Sequence, residues 1–160
     1  MKKMIIVPAI ALIAATALAS TASSDGHADK AMKAAIDARK AQMKLIAYNM
    51  GILGSMAKGE APFDSAVATS AATNLSAVAK LDRATLWVEG TIQGEVPDTR
   101  AKSEIWSDAT GFEKSATELE NAADALIEAA GTDVAAIQAA MGAAGQSCKS
   151  CHESYRGPKN

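Results

Sequence analysis

The stretch VAAIQAAMGAAGQSCKSCHESY, Val134–Tyr155, governs how the rest of this chain is read. Its residues Val134, Ile137, Met141 and Ala144 recur in threes and fours, as one face of an α-helix requires. The same register continues through Cys148 and Cys151 to Tyr155. Both thiols therefore stand on the inward side of a helix, and His152 follows the second one directly. A C-x-x-C-H sequence is what covalent haem attachment needs, because each sulfur adds across one vinyl group and the imidazole then faces the iron. The chain has 2 cysteines and both fall in this motif.

Other chemistry for the motif is weaker. A structural zinc ion wants four ligands, and beyond these three the Cys and His inventory offers only His27, far off in the chain. A thioredoxin-like pair opens a helix, where the dipole lowers thiol pKa values, whereas here a helix runs into the pair from its N-terminal side. A disulfide this local closes a tiny loop and removes little entropy from the unfolded chain.

Upstream, the composition is alanine-rich and poor in aromatic residues, which favours helix throughout. No alternating strand pattern appears. Thr132 or Asp133 is a suitable cap for the last helix, and Gly157-Pro158 ends it. The spacing of Ile105, Ala109, Phe112, Ala116, Leu119, Ala123, Leu126 and Ala130 predicts a third helix that stops at Gly131. Its outer face is acidic. Trp106 flanks that helix near its start, as core filler or as a wall of the cofactor pocket. A second helix is predicted from Asp64 or Ser65 through Val67, Ala71, Asn74, Val78, Leu81 and Thr85 to Val88, and Gly90–Ser103 is the longest connection. The first helix is predicted from about Asp29 to Met56, with the stripe Met32, Ile36, Arg39, Met43, Ile46, Met50, Leu53 and Ala57. Arg39 is the misfit in that stripe, since a buried guanidinium is costly unless an anion meets it; a haem propionate is such an anion. Met43 follows one turn later, in a position where methionine usually serves as filling. Four amphipathic helices joined in this way give an all-α, antiparallel up-down four-helix bundle, whose interior is a common place for a cofactor.

The N-terminus carries a basic start, Met1-Lys2-Lys3, an apolar run from Met4 to Leu18, and the small-x-small sequence Ala17-Leu18-Ala19. Residues 1–19 read as a cleaved secretory signal peptide, too short for a comfortable membrane span of about 20 residues. Residues 20–160 are one domain's worth of chain, with Ser20–Asp29 expected to fray. No membrane span remains after processing, and the protein is expected in the periplasm. Loss of Lys2 and Lys3 takes the 16 basic residues to 14 against 18 acidic ones, a formal charge of −4. A mildly acidic surface argues against nucleic acid as a partner.

Taken together, the C-x-x-C-H near the end, the following Glu153-Ser154-Tyr155-Arg156, the turn KGEAPFD at Lys58–Asp64 and the segment SEIWSD at Ser103–Asp108 resemble the class II c-type cytochromes, the cytochrome c′ group. The resemblance covers nearly the whole processed chain. It implies one haem c with its iron, held covalently by Cys148 and Cys151, with His152 as axial ligand. It also implies that Arg39 and Arg156 lie near a propionate or the proximal face, and that the distal position falls on Met43. The family has a five-coordinate branch with an empty sixth site and a low-spin branch ligated by methionine. The runs Gln42-Met43-Lys44 and Lys58-Gly59-Glu60 are more similar to the second. The expectation carried forward is an electron carrier with His152 and Met43 both on the iron, serving redox partner proteins that the sequence does not identify. The alternative is a five-coordinate protein that binds nitric oxide or carbon monoxide at the distal face. An enzyme is not expected, since no Ser-His-Asp set or second metal cluster appears. Apolar outer surfaces on the first two helices make a homodimer an expected assembly.

Overall fold

The computed structural model describes residues 22–159; the signal-peptide reading of residues 1–19 lies outside them. Four long helices and one short turn of helix follow one another: α1 Ala22–Ala57, α2 Ser65–Ala79, α3 Glu104–Ser107, α4 Ala109–Ala130 and α5 Val134–Tyr155. The long helices pack side by side in the cycle α1, α2, α4, α5 and back to α1, with neither diagonal pair in contact among the described residues. This is the expected four-helix bundle. The segment Ala22–Asp29, expected to fray, continues α1 as helix.

Side-chain size explains the close α2–α4 interface. Ala68, Ala71, Ala72 and Ala79 of α2 share the core with Ala122, Ala123, Ala129 and Ala130 of α4, and small residues let two helix axes approach. Leu53, Leu75, Leu126 and Ile137 fill what alanine leaves, each fully buried; burial of such a side chain stabilises by roughly 1.5–3 kcal/mol. The caps at Asp64 and Asp133 are as expected. Asp64 accepts the N–H groups of Ala66 and Val67, and Asp133 accepts that of Ala136, which satisfies donors a helix start leaves over.

Three expectations are corrected. The buried seam of α1 is Ile36, Arg39, Gln42, Ile46, Asn49, Leu53 and Met56, so Met43 and Met50 stand one residue off it. Spacing by threes and fours fits both phases; hydrogen bonds favour the observed one. Gln42 Nε2 donates across to the carbonyl of Val78 in α2 at 2.9 Å, while Asn49 Nδ2 is satisfied within α1 by the Leu45 carbonyl at 2.8 Å. Second, α2 ends at Ala79 although its apolar spacing runs on to Val88. Lys80 caps it, Asp82 accepts the Ala84 N–H in a tight turn, and Arg83 reaches across to Glu113 and Glu120 of α4, both at 2.7 Å. The connection is therefore Lys80–Ser103. Third, the third predicted helix is broken at Asp108 (φ −122°, ψ 55°), which separates α3 from α4.

Candidate haem site

The last two turns of α5 bring Cys148, Cys151 and His152 to the end of the bundle closed by the long connection. The inward register expected for α5 holds: Ile137, Ala144 and Tyr155 are buried, and both cysteines are half-buried free thiols. Cys151 packs against an aromatic group of Trp87, Trp106, Phe112 and Tyr155, backed by Ala101 and Ile105. Phe112 meets Trp87 and Tyr155 edge-on, with ring centroids 5.0 and 5.4 Å apart.

That group is held from both ends. Trp106 Nε1 donates to the carbonyl of Trp87 at 3.0 Å. Tyr155 donates its hydroxyl to Asp108 Oδ2 at 2.8 Å, while Asp108 Oδ1 accepts the Gly111 N–H and so caps α4. The kink at Asp108 thus links the start of one helix to the end of another.

Arg39 works from the other side. Its buried guanidinium, 4 % exposed, donates to Thr91 Oγ1 and Thr99 Oγ1 at 2.6 Å and to the Thr91 carbonyl at 2.8 Å. It also lies 4.9 Å from the centroid of the Trp87 ring, within cation–π range. The oxygens that make its burial tolerable come from the connection itself. Burial lowers its pKa to about 10, so it remains charged at neutral pH.

Met43, expected as a distal residue, lies on α1 one turn from Arg39 and is 37 % exposed. Arg156 follows Tyr155 at the surface, and its backbone pairs with Ala101 in an isolated bridge. Beside it, a cleft of about 380 Å³ has His152 on its wall together with Arg100, Lys149 and Arg156. A larger cleft of about 460 Å³ opens behind Trp87, Trp106 and Phe112. None of the three motif residues lines that larger cleft, so its size does not make it the chemical centre. The motif does.

The local electrostatics fit a covalently held haem. Burial pushes both thiols above their ordinary value, which keeps them protonated and unlike the activated pair of an oxidoreductase. Burial, with Arg156 and Arg100 nearby, lowers the His152 pKa and leaves a neutral imidazole, the form that ligates iron. Cys148 and Cys151 would hold the porphyrin and His152 the iron, which when bound supplies redox change and gas affinity. Trp87 and Arg100 went unremarked in the sequence as residues of this site, because Trp87 sat inside a predicted helix and Arg100 in a connection with mixed charge.

Comparison with known proteins points to the same cofactor. Residues 34–156 match the family model for cytochrome c′. A cytochrome c-554 of Cereibacter sphaeroides is 44 % identical over 121 residues, covering 76 % of this chain and 91 % of that protein. The structure of cytochrome c′ from Rhodobacter sphaeroides superposes with a TM-score of 0.77 at 38 % identity, covering 80 % of this chain and 98 % of the other. A nitric oxide complex of a variant cytochrome c prime from Alcaligenes xylosoxidans superposes with a TM-score of 0.71 at 31 % identity, covering 80 % and 97 %. With the C-x-x-C-H pair and its histidine at the closed end of a four-helix bundle, the chain belongs to the cytochrome c′ family, c-type cytochromes that carry one covalently bound haem c.

Proposed function

We propose that this protein binds a small neutral diatomic, nitric oxide or carbon monoxide, at the haem face opposite His152. The observation that carries this reading is the placement of Met43: it stands one residue off the hydrogen-bonded, buried seam of α1, so protein packing does not fix its thioether in a ligating position. The nitric oxide complex of the Alcaligenes relative supports it. In this reading Met43 roofs the distal face and His152 is the single protein ligand to iron. The role is binding rather than catalysis, and it is exercised in the periplasm, which suits a thioether-linked cofactor completed outside the cytoplasm. No described helix is long and apolar enough to cross a membrane.

The competing reading is single-electron transfer with His152 and Met43 both on the iron, and it rests on the thioether lying one turn from Arg39. One absorption spectrum, oxidised and reduced, separates the two. The protein is expected to be high-spin in both states and, once reduced, to shift at once on addition of carbon monoxide. A low-spin spectrum in both states, with a sulfur-to-iron charge-transfer band when oxidised, would return the assignment to the electron carrier.

A further inference from the structure

We propose that the basic end of the bundle around His152 is a docking surface for an acidic one-electron donor protein. The chain as a whole is acidic, with 18 Asp and Glu against 16 Lys and Arg. Arg100, Lys149 and Arg156 nevertheless line one cleft with His152 and Glu153, Lys102 reaches the tail beside it and pairs with Glu104, and Lys159 follows in sequence. Those two carboxylates are taken by lysines: Lys102 Nζ lies 3.4 Å from Glu104 and Lys149 Nζ lies 3.8 Å from Glu153. The arginines have no carboxylate partner among the described residues. Arg100 donates instead to the carbonyls of Gly157, at 2.6 and 2.9 Å, and Pro158, at 3.2 Å.

The surface is also built to stay in place. The Gly157 N–H donates to the Arg100 carbonyl at 2.8 Å, Gln93 Nε2 to the Pro158 carbonyl at 2.9 Å, and Lys102 Nζ to the Ser154 carbonyl at 2.7 Å. A side chain at Gly157 would meet the amide end of Gln93, which would have to swing aside. Charges held in position cost little ordering when a partner arrives. A positive end on an otherwise negative molecule turns that end toward an acidic surface during the diffusional approach and speeds association.

Arg100, Lys149 and Arg156 share the wall of one cleft with His152, so the patch borders the functional residue. A partner seated here would lie beside the iron's protein ligand. The proposal rests on the haem reading for its purpose, because carbon monoxide binds only ferrous iron and that state must be supplied. One electron leaves the reduced donor and is taken up by the ferric haem, with no bond made or broken.

The test uses a reduced, acidic [2Fe–2S] ferredoxin and the oxidised holoprotein in stopped flow. The second-order rate of haem reduction is expected to fall about tenfold between roughly 10 and 200 mM ionic strength. The variant K102Q/K149Q/K159Q, in which glutamine keeps a donor at position 102, is expected to lose most of that rate and its salt dependence, with an unchanged spectrum and an unchanged rate toward a neutral photoreduced deazaflavin. Lys149→Gln alone should give a partial loss, which guards against a misfolded triple variant. Amide signals of Lys149–Arg156 should shift on addition of oxidised ferredoxin at low salt and stay still in the triple variant. Wild-type rates and salt slope in the variant, or shifts confined to another face, would overturn the proposal. A colourless purified chain would sink the haem reading instead, and the amide shifts would still decide whether the acidic protein docks here.

Discussion

The two ends of this bundle are held together by different physics. The body, from Leu53, Leu75, Leu126 and Ile137 to the alanines of α2 and α4, is apolar contact between regular helices. The other end is an irregular connection, Lys80–Ser103, wrapped around one buried cation and one aromatic group. Dispersion and water exclusion in the body are spread over many small contributions, so each is replaceable. The wrapped end concentrates its order in a few polar groups that cannot lose a partner cheaply. A cofactor site needs the second kind of order, because it must hold specific atoms in place while leaving space unfilled.

The sharpest way to break this contrast is Arg39→Ala. It strands the acceptors of Thr91 and Thr99 and removes the cation beside Trp87, and a loss of about 3–4 kcal/mol is expected in urea unfolding. Faster amide exchange should be confined to the connection. A loss under about 1 kcal/mol would mean that the connection holds itself. Leu126→Ala in the body should cost about 3 kcal/mol, with exchange raised across all four long helices rather than locally.

Tyr155→Phe removes one hydrogen bond and should lower stability slightly near neutral pH. Its pH dependence is more telling. The bond to Asp108 raises the Tyr155 pKa from 10.0 to about 12. Between those values the unfolded chain gives up the proton and the folded chain keeps it. Stability contributed by this group is therefore complete below the unfolded value and declines as pH climbs toward about 12. The Phe variant should lack that part of the decline in unfolding followed against pH. The smallest effect concerns Asp98, a non-glycine residue at φ +62° within the connection. Asp98→Gly relieves the left-handed conformation and loosens the unfolded chain, and a net change within about 0.5 kcal/mol is expected in thermal melting.

Much of the body was legible in the sequence because helical periodicity reports directly on a regular buried face. The register of α5, with Ile137, Ala144 and Tyr155 turned inward beside both cysteines, is such a case, as are the caps at Asp64 and Asp133. The phase of α1 was harder to read. Met43 beside Gln42, and Met50 beside Asn49, allow two neighbouring seams, and the Val78 carbonyl of α2, which takes the Gln42 amide, favours the polar pair. The end of α2 was hidden for a related reason: Leu81, Thr85 and Val88 keep the helical spacing, while the ion pairs of Arg83 with Glu113 and Glu120 that redirect the chain lie 30 and 37 residues away. Arg39 was recognised as a misplaced charge, yet its partners Thr91 and Thr99 stand 52 and 60 residues further on, beyond the reach of any local pattern. The C-x-x-C-H motif was readable because covalent attachment demands those residues at that spacing whatever the fold around them.

Asp108 divides its two oxygens between the Gly111 N–H and the Tyr155 hydroxyl. Replacing it by alanine releases the beginning of α4 and the tail of α5 together, after which a further Tyr155→Phe change has little left to remove. The two positions are thus epistatic. In a lineage that drifts, a change at Asp108 leaves position 155 free to vary at little further cost.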